Sequence, residues 1–221
     1  MTTRNRPPRE RAGEQLSREQ IAATALELVD REGLEALSMR RLAQEMGTGT
    51  MTLYGYVRDK DDLLDAVIDA AAAESPAWGE GGGPWRDRLT SLMRELRRSL
   101  ERHPALIQLR LRRPIMTPGA LRGTEAGLQV LVAAGLDRVE ASRAFRTLFL
   151  YTFGFAAFVT EGGHEERRAQ VRAAFAILPP EDYPLLTSSV EELADVLGGD
   201  EQFEFGLARV LDGIEARLPA A

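Results

Sequence analysis

The 221-residue chain contains no cysteine. That excludes disulfides, cysteine nucleophiles and thiolate metal sites, and it suits a reducing compartment. Histidine is nearly missing as well. His103 and His164 stand far apart and neither has a second histidine at ligand spacing, so no metal site is expected. No apolar run reaches the about 18 residues that a membrane-spanning helix needs. The opening MTTRNRPPRERAGEQ has no apolar signal core. These features predict a cytoplasmic protein with no membrane role. There is no glycine-rich phosphate loop: GEGGGP follows no strand and runs into proline. There is no Gly-x-Ser-x-Gly elbow. The carboxylates are plentiful but fall on charged helix faces, and no catalytic constellation is found. The expectation is a non-enzyme with no cofactor.

Strand-like alternation and fixed-period repeats are also missing, and what remains reads as helix throughout: an all-α fold. With 44% hydrophobic and 28% charged residues, the chain can build the core of one large or two small domains. The net charge of −6 argues weakly against nucleic acid as a partner of the whole molecule. Its distribution answers the objection. Residues 1–60 hold 10 Lys+Arg against 9 Asp+Glu, whereas the remainder holds 18 against 25. The surplus acid lies in the C-terminal part.

Residues 1–15 are polar and are predicted to be a disordered basic arm, with Arg4, Arg6, Arg9 and Arg11. The arm fits a solvated tail, and it also fits an arm that meets phosphate or a minor groove. Ser17 with Gln20 has capping-box spacing, and Ile21, Ala25, Leu28 and Val29 form one apolar stripe behind it. Ser38 caps a second helix that Gly47 ends. A short third helix is predicted from about Thr50 to Tyr56. A fourth, with acids in its first turn, starts near Asp59 and reaches about Glu74. Residues 16–74 are thus read as a helix-turn-helix domain whose fourth helix is a connector. Residues 75–84, rich in glycine and proline, are read as a linker. Residues 85–221 are read as a larger helical domain. Its helices are predicted at 85–103, after Pro104, at 120–134, 137–160, 165–178, 190–197 and 200–218.

The stretch SMRRLAQEMGTGTMTLYGYVRDK organises the rest. Ala43 lets a second helix approach closely, Gly47 accepts the left-handed conformation at the turn, and Leu53 packs into the angle. A recognition helix must expose groups that reach base edges and phosphates, beginning near its N-terminus. Thr50, Met51 and Thr52 sit there. Tyr54 and Tyr56 carry hydroxyls suited to phosphate oxygens. Arg40 can reach phosphate or a guanine edge. Lys60, the single lysine of the chain, falls at the N-terminus of the fourth helix, where its charge and the backbone N–H groups can hold one phosphate together. The same tyrosines also fit a partly buried core, and Lys60 a plain surface charge.

On LAQEMG followed by TLYGYVRDKDDLLDA, residues 17–74 resemble the DNA-binding domain of the TetR (tetracycline-repressor-like) family of transcriptional regulators. Most members carry an aromatic or histidine two residues after the Leu-Tyr tyrosine; here it is Tyr56. The chain departs from the pattern at Gly55, where many members have a bulky aromatic. Residues from about 85 to 218 are similar to the ligand-binding and dimerisation domain of the tetracycline-repressor branch. The carriers are RHPALIQL, LVAAGL, ASRAFRTLFLYTFGFAAFV and FEFGLARVLDGIEARL. The branch's magnesium-holding histidine has no counterpart in Ala105–Arg110, and the role is not carried over to His103.

The resemblance implies a homodimer on a palindromic double-stranded operator, acting as a repressor that a small effector releases. The apolar helices at 137–160 and 200–218 agree with a partner-covered face. The pocket is expected inside the C-terminal helices. Candidate lining residues are Trp85, Leu92, Leu96, Met116, Phe145, Phe149 and Phe153, with Gln108, Arg110 and Gln129 as polar candidates. Phe145, Phe149, Tyr151, Phe153, Phe155 and Phe158 share one helix, more aromatic faces than one core direction needs, although each alone also fits plain core. Such a wall predicts a lipophilic effector, a drug or a secondary metabolite. The alternative is a constitutive DNA binder or protein-interaction module of the same fold with no effector.

Overall fold

The computed structural model describes residues 16–75, 82–159, 164–196 and 198–219. The basic arm expected over residues 1–15 and most of the linker expected over residues 75–84 lie outside the described residues. Those that are described form helices and no strand.

Helix α1 (Arg18–Glu32) begins at a complete capping box. The Gln20 backbone N–H donates to Ser17 Oγ at 3.1 Å, and the Ser17 N–H donates to Gln20 Oε1 at 3.0 Å. Its apolar stripe is fully buried at Ile21, Ala25, Leu28 and Val29. A single 3₁₀ turn (Leu34–Ala36) leads to α2 (Met39–Glu45), capped by Ser38. The turn after α2 is a Schellman motif. The Thr48 N–H reaches the Ala43 carbonyl at 2.9 Å and the Gly47 N–H reaches the Gln44 carbonyl at 3.2 Å, with Gly47 at φ 63°. Helix α3 (Thr50–Tyr54) has only five residues, too few to hold itself by backbone bonds alone. Leu53, wholly buried, anchors it, a burial worth about 1.5–3 kcal/mol. Asp59 caps α4 (Lys60–Ala73), accepting from the Asp62 N–H at 2.8 Å.

Helices α5 (Trp85–Arg102), α6 (Ala105–Arg112), α7 (Pro118–Ala133) and α8 (Arg138–Val159) follow. Then come α9 (His164–Ala176), α10 (Pro184–Ser188), α11 (Val190–Asp195) and α12 (Asp200–Glu215). Helix α10 was not expected from the sequence; Pro184 opens it, at a position where proline's missing N–H has no intrahelical partner to lose. The last helix ends at Glu215, three residues short of the expected end. Helix α8 packs against α5, α7 and α12, and α4 packs against both α1 and α7.

Two buried clusters result. The first gathers α1 to α4, then continues through Leu100, Leu106, Ile107 and Leu109 to Phe153 and Ala156 of α8. The second joins α5, α7, α8 and α12 around Leu131, Leu148 and Phe203. Leu96 and Phe149 touch both clusters. The core of the helix-turn-helix unit therefore does not stop at the expected linker.

Candidate functional site

The outer face of the turn unit carries the polar residues singled out in the sequence. Leu53 faces inward, while Met51 is 80% exposed and Thr52, Tyr54 and Tyr56 are exposed beside it. Thr50, at the first position of α3, is half-buried. The two adjacent arginines of α2 behave differently. Arg41 is drawn into ion pairs with Glu32 and Glu45, which raise its pKa further. Arg40 is exposed and, among the described residues, has no ion-pair partner. Lys60 is exposed at the first position of α4, also without an ion pair among the described residues. Six of the seven residues are thus exposed around one short helix.

The face is braced from behind. Arg18 Nη2 lies 2.7 Å from Asp62 Oδ1, Nη1 lies 3.1 Å from Oδ2, and Nη1 also donates to the Tyr56 carbonyl at 2.8 Å. One guanidinium thereby fixes the start of α4 against the exit of α3. That guanidinium, with the Arg58 backbone N–H, holds the Asp62 carboxyl well below the usual carboxylate range. Gly55, where the sequence departs from the pattern, has φ −71°, a conformation open to any residue. Its N–H bonds to the Thr52 carbonyl at 3.1 Å, so the α3 exit is closed in the ordinary way.

The second site is a cavity of about 410 Å³ at the seam of the two clusters. Helix α4 lines it with Ile68 and Ala72, α5 with Leu92, Met93, Leu96, Ser99 and Leu100, and α6 with Leu106 and Arg110. Ile115 and Met116 contribute from the α6–α7 connection, α7 adds Thr124 and Leu128, and α8 adds Phe145, Arg146, Phe149 and Phe153. The three phenylalanines recur every fourth residue and so share one face of α8. Phe149 and Phe153 stack with centroids 5.8 Å apart. The other aromatics of α8 divide between two more directions. Tyr151 and Phe155 pack on Phe203 of α12, while Phe158 is 77% exposed.

Of the pocket candidates, Leu92, Leu96, Arg110, Met116, Phe145, Phe149 and Phe153 line the cavity. Trp85, Gln108 and Gln129 do not. Trp85 packs on the second cluster. Gln108 is exposed because α6 buries its neighbours Ile107 and Leu109 on the opposite side. Gln129 is exposed on α7 and donates to Glu125 Oε1 at 2.9 Å. Arg146, Thr124 and the α4 residues were missed. Arg146 had a legible signal, lying three residues before Phe149 on the aromatic helix. Ile68 and Ala72 had none, because α4 looked like part of the first module alone. His103 does not face the cavity: its Nδ1 lies 2.7 Å from Asp30 Oδ2 and its Nε2 2.9 Å from Glu74 Oε2.

The cavity and the exposed face are physically connected. Helix α4 carries Lys60 at its first position and lines the cavity eight residues later, about 12 Å along its axis. It is also tied to the α6–α7 segment. Arg113 pairs with Asp65, and the Gly119 N–H donates to Asp69 Oδ1 at 2.7 Å.

Comparison with known proteins bears on both sites. Residues 21–67 match the family model described as bacterial regulatory proteins, tetR family, and residues 76–218 match tetracyclin repressor-like, C-terminal domain. The chain is 38% identical over 214 residues to the HTH-type transcriptional repressor DrrR1 of Streptomyces coeruleorubidus, spanning 90% of this chain and 77% of that protein. It is 30% identical to the tetracycline repressor protein class A from transposon 1721 of Escherichia coli, over 89% of each. Among solved structures, ActR of Streptomyces coelicolor in complex with actinorhodin superposes with a TM-score of 0.81 at 31% identity, covering 93% of this chain and 98% of that one.

Proposed function

The chain belongs to the TetR family of bacterial regulatory proteins, and from that premise we propose that it is a transcriptional repressor whose grip on DNA is released by a small molecule bound in the α4–α8 cavity. One observation carries this reading: α4 both presents Lys60 beside the exposed α3 face and forms a wall of the cavity through Ile68 and Ala72. A molecule that fills the cavity has to push on or hold α4, and α4 sets the position of α3 through Arg18 and Asp62. Arg40, Thr50, Met51, Thr52, Tyr54, Tyr56 and Lys60 are the DNA-contacting set, with Met51 and the threonines toward bases and the rest toward phosphates. No helix among the described residues is long and apolar enough to cross a membrane, and the protein acts in the cytoplasm, where its DNA is.

The DNA-bound unit is a homodimer. Leu150, Gly154 and Phe158 form an outward stripe on α8, and Phe205 and Gly213 one on α12. Space for a Cβ is open at both glycines, so a second copy can approach closely. Two-fold pairing sets the α3 helices about 34 Å apart on a palindromic operator. The effector shifts the balance between two dimer shapes, with a coupling of about 1–3 kcal/mol per site typical of such linkage. That ActR holds actinorhodin supports a cavity ligand over the constitutive alternative.

The test is a gel-shift titration with DNA upstream of the protein's own gene, with and without lipophilic candidates. Retardation that a candidate reverses supports the reading. Failure to retard any such DNA at low salt overturns it.

A further inference from the structure

The chemistry of the cavity narrows what fills it; this step rests on the effector reading above. Its walls are mostly apolar, and no carboxylate lines it. Two guanidiniums do. Arg110 lies with its Cζ 4.7 Å from the centre of the Phe149 ring, and the Arg146 Cζ lies 5.8 Å from the same centre. Several other described arginines pair with acids: Arg18 with Asp62, Arg94 with Glu204, Arg97 with Glu101, Arg113 with Asp65. Among the described residues neither Arg110 nor Arg146 has such a match. The hydrogen bond that Arg110 makes, to the Ile115 carbonyl, is long at 3.4 Å. A guanidinium offers five N–H donors, so most of its capacity is unspent. Burial, and then the charge of Arg146, press the Arg110 pKa down. Two like charges over one ring, at the edge of an apolar space, repel each other, and a bound anion relieves both costs.

We propose that the effector is a flat aromatic anion, its rings against Phe145, Phe149 and Phe153 and its acidic group between Arg110 and Arg146. The phenylalanines supply an apolar face for stacking. The guanidiniums supply charge-assisted donors to a carboxylate, phenolate or sulfonate. The volume of about 410 Å³ suits a drug-sized molecule of a few fused rings.

Two fluorescent probes with one aromatic frame separate the contributions: anilinonaphthalene sulfonate, an anion, and phenylnaphthylamine, its uncharged analogue. Both are titrated into the full chain and into Arg110→Met and Arg146→Met. Each variant should weaken the sulfonate by about tenfold, the scale of one missing charge-assisted hydrogen bond, and leave the uncharged probe nearly unchanged. Sulfonate binding that is indifferent to both substitutions overturns the proposal. So does equal weakening of both probes, which marks a damaged cavity wall and not a missing anion partner. No DNA is present, so a protein that retards no DNA still gives an answer. An indifferent sulfonate leaves the repressor reading intact with a neutral effector.

Discussion

His103 and Asp30 meet at 2.7 Å, Nδ1 to Oδ2, and so tie the end of α5 to α1. Glu74, just past the end of α4, takes the other ring nitrogen at 2.9 Å. The buried imidazole thus joins the reading module to the cavity module at a point away from both sites. His103→Leu leaves two carboxylates without their shared partner. Both carboxylates reach solvent and would be rehydrated, so urea unfolding should show a loss of about 0.5–1.5 kcal/mol, the net worth of an ordinary hydrogen bond. An unchanged midpoint would mean that the tie contributes nothing.

Asp62 predicts a pH signature. Its carboxyl is held below the ordinary value by Arg18 and the Arg58 N–H. The sign follows from linkage: a depressed carboxylate adds stability that is full above its unfolded value, about 4, and is lost as pH falls through the folded value. Asp62→Asn should therefore cost most at pH 7, and its cost should shrink on titration to pH 3. Urea midpoints at the two pH values measure this. A cost that grows toward acid would contradict the ion pair.

On DNA, Lys60→Ala and Tyr54→Ala should both weaken binding. Lys60→Ala should do so about equally on every sequence. It should also make the dependence of log K on log salt shallower, by about 0.9 for a single phosphate left without its cation. An unchanged slope would remove Lys60 from the phosphate set.

Gly127 brings α7 tightly against the aromatic face of α8. A Cβ there would run into Phe145 Cε2 and Cδ2 and lie 3.2 Å from Leu92 Cδ2. Gly127→Ala forces the Phe145 ring or α7 itself to shift. The expected cost is about 1–3 kcal/mol, as for other overpacked sites, together with weaker uptake of both naphthalene probes. A variant as stable as the parent that binds the probes equally well would show that α7 yields at no cost.

The turn unit was legible because its requirements are local. Ala43, Gly47 and Leu53 are fixed by what one turn demands, and the structure has all three in those roles. The two arginines of α2 were not separable on that basis, since only the partners Glu32 and Glu45 decide that Arg41 is consumed and Arg40 left outward. The cavity was legible on α8, where Phe145, Phe149 and Phe153 keep one phase. It was only half legible on α6, where Arg110 lines the cavity as expected but the buried set includes the consecutive Ala105, Leu106 and Ile107 and gives no clean face. Gln108 was misplaced for that reason. The share of the wall that belongs to α4 depends on packing between segments more than twenty residues apart, which no local pattern encodes.

The first buried cluster runs from Ile21 through Leu64 and Val67 to Leu106, Phe153 and Ala156 without a gap at the expected linker. Recombination between two regulators at that linker would make Leu64 and Ile68 of one parent share a core with α6 and α8 of the other. Chimaeras cut there should fold poorly unless α6 and the last turns of α8 travel with the reading head. The exchangeable unit of this protein is therefore larger than its DNA-binding motif and discontinuous in the chain.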